Sequence, residues 1–133
     1  MKIVVDTNVV ISGTFFGGNP RRVIEAVAEN KIKACASASI TEEYIEIVEE
    51  LIDKKQGKLR KNLLDLFIAN LEIIDPVTEI QISRDPDDDK FIECAIDAKA
   101  LYIVSGDQDL LEIGTYEGIE IITASEFCKR YLD

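Results

Sequence analysis

Residues 3–6 read Ile-Val-Val-Asp and residues 101–107 read Leu-Tyr-Ile-Val-Ser-Gly-Asp, two short apolar runs that each lead to an acid. Runs this short and uniformly apolar suit buried parallel strands, which are covered on both faces. Weaker strand candidates stand at 33–37, 71–74 and 120–122, and helical apolar periods lie at 21–29, 40–54, 59–70, 87–99 and 124–131. Strands alternating with helices predict an α/β protein, a three-layer α/β/α sandwich with a mainly parallel central sheet. In open sheets of this kind ligands bind beyond the carboxyl ends of the strands, so Asp6 and Asp107 are expected to meet at one edge. Either acid alone could simply start a loop, and Asp107 could cap a helix over 108–113.

The chain has 133 residues, 47% of them hydrophobic and 31% charged, which suits one compact domain over 1–133 with its own core. No apolar run reaches the roughly 18 residues of a membrane helix, and no secretory leader pattern opens the sequence, so a cytoplasmic protein is expected. Cys35, Cys94 and Cys128 are far apart among apolar neighbours, a pattern of reduced core residues rather than of disulfides or a zinc knuckle. There is no histidine, which excludes Ser-His-Asp chemistry and His-containing zinc sites and leaves acid–base and metal work to carboxylates. A net charge of -11 opposes broad attraction to nucleic acid and favours a basic partner or a metal-screened site.

In the helix from Ile40, the residues Ile40, Tyr44, Ile47, Val48, Leu51 and Ile52 form an apolar stripe. Ser39 and Glu42 fit a capping box, which accounts for Glu42. Glu43 borders the stripe more closely than Glu42, Glu46, Glu49 or Glu50, either as an ordinary boundary glutamate or as a group turned toward a site. In Asp85-Pro86-Asp87-Asp88-Asp89, Asp85 is the expected N-cap and Pro86 the first helical residue. Asp88 lies over Phe91, Ile92 and Ala95 on the apolar face, where an unpaired carboxylate is costly and calls for a cation. Four carboxylates gathered from two strand ends and two helices, with no basic side chain expected among them, would repel one another unless divalent cations stood between them. Oxygen-only ligands suit Mg2+ or Mn2+, and such ions support phosphodiester hydrolysis without histidine. Lys54, Lys55, Lys58, Arg60 and Lys61 form a basic turn, readable as a solvated loop or as a contact for phosphates.

Val-Val-Asp-Thr-Asn-Val-Val-Ile-Ser, Ser-Ile-Thr-Glu-Glu-Tyr, Arg-Asp-Pro-Asp-Asp-Asp-Lys-Phe and Ser-Gly-Asp-Gln-Asp-Leu-Leu, in this order and spacing, resemble the PIN-domain family over essentially the whole chain. The likeness is greatest to its prokaryotic toxin-like members related to VapC. It implies a Mg2+- or Mn2+-dependent endoribonuclease, with RNA as substrate, an antitoxin as a protein partner and a homodimer as a family habit. Matched by motif, the catalytic and metal-holding acids are Asp6, Glu43, Asp88 and Asp107. Thr7, Asn8, Ser12 and Ser105 are the small polar residues expected near the ion, and Asp85 and Asp109 are secondary acids. Serine at Ser105 replaces a commoner threonine and keeps the hydroxyl. A haloacid-dehalogenase-type phosphatase also opens on a strand-terminal Asp but needs a second Asp two positions later, where this chain has Asn8. The remaining alternative is a PIN-like module that docks a protein or RNA partner and cuts nothing.

Overall fold

The structure is a computed structural model that describes the backbone of residues 1–55 and 61–133, with side chains for all of these except 53–55. Ile3, Val4 and Val5 of β1 (Lys2–Val5) are wholly buried, as an apolar run covered on both faces must be. β1 is the centre of a six-stranded sheet ordered β3-β2-β1-β4-β6-β5. On one side it pairs in parallel with β2 (Lys33–Ala36), and β2 with the short β3 (Glu72–Ile73). On the other side it pairs in parallel with β4 (Tyr102–Val104), and β4 with β6 (Ile119–Ile122). Only β5 (Thr115–Tyr116) runs antiparallel, as the hairpin partner of β6. The chain leaves β1 toward β2 and later returns through β4 on its opposite side. The strand order therefore reverses between β1 and β4, where such sheets open a crevice at their carboxyl ends.

The helices supply the other two layers of the expected sandwich. α2 (Gly18–Ala28) packs on α1 (Thr7–Phe15), on α4 (Lys61–Ala69) and on α7 (Ala124–Tyr131). α3 (Ala38–Lys55) leans on α1 and β2, while α5 (Asp89–Ala98) lies across β1, β2 and β4. α6 (Gln108–Leu111) is a single turn after β4. α1 is absent from the sequence reading, and the cause is burial on most of its circumference. Thr7, Val9, Val10, Gly13, Thr14 and Phe15 are all buried, so no polar face alternates with an apolar one. Gly13 lets α1 and α2 approach closely, since a Cβ there would stand 2.8 Å from Ile24 Cγ1 and 2.9 Å from the Pro20 carbonyl oxygen.

Two local expectations are corrected. α3 begins two residues earlier than a cap at Ser39 requires: the Ser37 hydroxyl accepts from the Ile40 N–H at 3.1 Å, and Ser39 and Glu42 are both exposed within the helix. The acid run opens not as α-helix but as a 3-10 turn over Pro86–Asp88. Asp85 does cap it, accepting from the Asp87 N–H at 3.0 Å. Cys35, Cys94 and Cys128 are free and buried, and burial pushes their thiols up, Cys35 to about 12 and Cys94 to about 11. Among the described residues no helix is long and apolar enough to cross a membrane.

Candidate metal centre

At the crevice between β1 and β4, Asp6 follows the last residue of β1 and is 4% exposed. Its N–H bonds to the Val104 carbonyl, which continues the β1–β4 pairing past the strand end and fixes where the carboxylate starts. Across the crevice, Ser105 is fully buried and donates its hydroxyl to Asp6 Oδ2 at 2.7 Å, while its oxygen accepts from the Asp107 N–H at 3.0 Å. One serine thus ties the two strand-terminal acids together. Burial raises the Asp6 pKa, the charges of Asp107 and Glu43 raise it further, and the Ser105 hydroxyl and Asn8 amide oppose the rise.

Tyr44 places the helix acid. Its ring is fully buried, packs edge-on against Phe67 at 5.8 Å, and its hydroxyl donates to the Val5 carbonyl at 2.5 Å. α3 is thereby pinned to the end of β1, and the residue before Tyr44 is brought to the start of α1. There Glu43 Oε2 accepts from the Thr7 hydroxyl, and Oε1 pairs with Lys90 Nζ at 2.5 Å. A basic side chain therefore does stand among the acids, contrary to expectation, and it comes from within the acid motif itself.

Asp88, Asp107 and Asp109 offer carboxylate oxygens that all lie within 4.8 Å of one another, a spacing able to hold a metal ion. Asp88 is 8% exposed, and its Oδ2 is buried with no hydrogen-bond partner among the described residues. Burial, then the neighbouring Asp107, push its carboxyl up to about 7, with further contributions from Asp6 and Asp85. A buried carboxylate without a donor costs on the order of a few kcal/mol, a cost that a proton or a bound cation would relieve. Asp107 Oδ1 also accepts from the Asp109 N–H at 2.9 Å, so it caps α6 and still belongs to the cluster. Asp109, a secondary acid in the sequence reading, joins the trio; Asp85 remains exposed at its turn, and Asp6 and Glu43 stand outside the 4.8 Å grouping.

Asp89, which the acid run leaves open as an alternative to Asp88, is taken up by backbone donors. It is 6% exposed and accepts from the N–H groups of Ile82 and Ser83 at 3.3 and 2.8 Å. One and two turns on, Glu93 accepts from Ile80 N–H at 3.0 Å, and Asp97 accepts from the N–H groups of Val77 and Thr78 at 2.8 and 2.9 Å. The 77–83 stretch is thus strapped along α5 and delivers the chain to Asp88. An i, i+4, i+8 row of acids was the available signal.

Clefts flank the acids on both sides. One, of about 420 Å³, is lined by Asn8, Ser12, Asn19, Ser105, Thr123 and Ser125. Another, of about 410 Å³, is lined by Ser37, Ser39, Ile74, Thr78, Lys90 and Glu93. Of the basic turn, Lys61 is exposed and pairs with Asp65 at 3.5 Å; Lys58, Arg60 and the side chains of Lys54 and Lys55 lie outside the described residues.

Comparison with known proteins agrees with this fold. A chain in the crystal structure of VapBC2 from Rickettsia felis bound to a DNA fragment from their promoter superposes with a TM-score of 0.57 over 91% of this chain and 97% of that one, at 18% identity, a likeness of fold. An uncharacterized protein of Methanocaldococcus jannaschii is 34% identical over 117 residues, 85% of this chain and 75% of that protein. A family profile described as PIN domain matches residues 2–109, which include Asp6, Glu43, Asp88, Asp107 and Asp109, and the chain belongs to the PIN-domain family.

Proposed function

We propose that the protein is a divalent-metal-dependent endoribonuclease whose centre is built from Asp6, Glu43, Asp88 and Asp107, with Asp109 added. The observation that carries this reading is the cluster in which Asp88, Asp107 and Asp109 offer carboxylate oxygens within 4.8 Å of one another, together with an Asp88 Oδ2 that is buried and, among the described residues, partnerless. The donor set consists of hard carboxylate oxygens, which fit Mg2+ or Mn2+ and do not fit a soft metal. An ion of this kind supplies Lewis acidity to a phosphodiester and lowers the pKa of a water. The chain's own part is to hold Asp88, Asp107 and Asp109 against their mutual repulsion and to orient Asp6 through Ser105. Asn8, Ser12 and Ser125 line the cleft at Ser105 with neutral donors and acceptors, where an RNA strand would lie beside the acids without meeting further negative charge. Lys54, Lys55, Lys58, Arg60 and Lys61 are the proposed contacts for more distant phosphates.

VapBC2 is named as a two-component assembly on promoter DNA. By that likeness we assign this chain the toxin part of such a pair, working in the cytoplasm, with a basic segment of an antitoxin as the partner suited to a net charge of -11.

The test is cleavage of single-stranded RNA by the purified protein with Mn2+ or Mg2+. Products should carry 5′-phosphate and 3′-hydroxyl ends, because no step uses the RNA 2′-hydroxyl as nucleophile. Asp6→Asn and EDTA should each abolish cutting. Products with 2′,3′-cyclic ends, or activity that survives either treatment, would overturn the mechanism. Inactivity across a broad RNA panel, together with no Mn2+ binding, would favour the partner-docking module.

A further inference from the structure

Glu43 and Lys90 form the least expected contact of the centre. They are 47 residues apart in sequence, and their side chains are only 27% and 24% exposed. Lys90 is the second residue of α5, where the positive end of the helix dipole opposes a cation and the preceding acids of the run favour one, so local sequence alone does not decide where its ammonium goes. Its Nζ also stands 5.6 Å from the Phe91 ring centroid, a modest further attraction. The position is accounted for by Glu43, whose two oxygens are both taken, one by Lys90 and the other by Thr7. Asp88 is the opposite case, with a buried oxygen that no group among the described residues satisfies.

Two-ion phosphodiester centres place their metals about 3.5–4 Å apart, each on its own share of the carboxylates. A Mg2+ on Glu43 Oε1 would stand about 2.1 Å from that oxygen. That volume is occupied by the Lys90 ammonium at 2.5 Å. We propose that Lys90 is a resident cation in place of a second metal: Glu43 is its counter-ion and not a metal ligand, and each chain takes a single divalent ion at Asp88, Asp107 and Asp109. The proposal rests on the metal-centre reading above. It goes beyond it by fixing the number of ions and by giving Glu43 and Lys90 a joint positioning role beside Asp6.

Calorimetric titration with Mn2+ alone, paired with electron paramagnetic resonance of the bound ion, tests this without recourse to activity. The wild type should bind one Mn2+ per chain. Glu43→Gln should keep that affinity within about threefold, whereas Asp107→Asn should lose on the order of tenfold or more, the usual scale of damage to a metal site. Lys90→Met should expose Glu43 and Asp6 to each other and gain a second, weaker ion, seen as a stoichiometry of two and as magnetic coupling between neighbouring Mn2+ ions. Lys90→Arg should restore the single ion, because it restores the charge. Circular dichroism establishes that each variant is folded, and Glu43→Gln and Lys90→Arg carry the test if Lys90→Met does not fold. A wild type with two ions, a folded Lys90→Met that takes only one, or a Glu43→Gln as damaged as Asp107→Asn overturns the proposal while leaving the metal centre standing. A wild type that binds no Mn2+ removes the metal centre itself, and this proposal with it.

Discussion

Asp88 carries its proposed role as a strain on the metal-free fold. Burial and Asp107 hold its carboxyl at about 7 against 3.8 for the free group, so the folded chain binds a proton that the unfolded chain releases between these values. Stability falls with rising pH wherever the native state holds the extra proton. In EDTA, denaturant unfolding should therefore show the protein weakening from about pH 4 to about pH 7 through this group. Asp88→Asn should remove that slope and make the metal-free protein more stable at pH 8 by about 2 kcal/mol, with the advantage gone below pH 4. A variant weaker than wild type at pH 8 would show the carboxylate to be satisfied after all. Ser105 works on the other acid. Ser105→Ala should cost about 1–2 kcal/mol, leaving Asp6 without its donor and the Asp107 N–H without its acceptor. It should also weaken Mn2+ binding more at pH 6 than at pH 8, because losing the donor moves the Asp6 pKa further upward; an equal loss at both would mean a packing effect only. The Asp88 position was legible in the sequence because a helical wheel sets it over Phe91, Ile92 and Ala95, all buried. The partners of Asp89 and Lys90 were not, since the row of acids at 89, 93 and 97 marks a helix face but does not say that Ile82, Ser83 and Glu43 meet it, which tertiary structure fixes.

At the scale of elements, the parts that escaped the sequence are those with no contrast between faces. α1 is buried nearly all round, so no polar face marked it as a helix. Its packing nevertheless makes a definite prediction. Gly13→Ala gains helix propensity of about 1 kcal/mol but forces a methyl to within 3 Å of α2, an overpacking that costs about 1–3 kcal/mol. The variant should melt lower than wild type, and an increase in Tm would mean that α2 yields easily. The strap at 77–83 was equally hidden, because its amides are paired with side chains of α5 and not with another strand. The backbone and side-chain donors of Thr78 lower the Asp97 pKa. A carboxyl depressed in the fold contributes stability above its unfolded pKa and loses it as pH falls through the folded value. Asp97→Asn should accordingly speed amide exchange at Val77 and Thr78 at neutral pH, with the difference from wild type shrinking in acid. The sign is opposite to that of Asp88, and the two residues lie only nine apart along the chain.

The whole molecule explains how residues 6, 43, 88, 107 and 109 come together. Alternating strands and helices were enough to give a parallel sheet, and the rule that ligands gather beyond its carboxyl ends was enough to pair Asp6 with Asp107. The order β3-β2-β1-β4-β6-β5 was not legible, because it depends on which face each connecting helix covers, and only the reversal beside β1 makes one edge the site. The result gathers like charges in a chain already at -11, and the last prediction separates the two ways of relieving them. At about 0.15 M monovalent salt the screening length is roughly 8 Å. That exceeds the 4.8 Å within which Asp88, Asp107 and Asp109 face one another, and Asp88 is nearly closed to solvent. Raising NaCl from about 0.01 M to about 0.15 M should relieve the surface charge and raise the metal-free Tm only slightly. Mn2+ at about a hundred times its Kd should instead stabilise the fold by about 2.7 kcal/mol, because it binds the native state and not the unfolded chain. Asp107→Asn should keep the response to NaCl and lose most of the response to Mn2+. If Mn2+ does no more than NaCl of equal ionic strength, the acids are merely screened and the crevice between β1 and β4 is not a metal site.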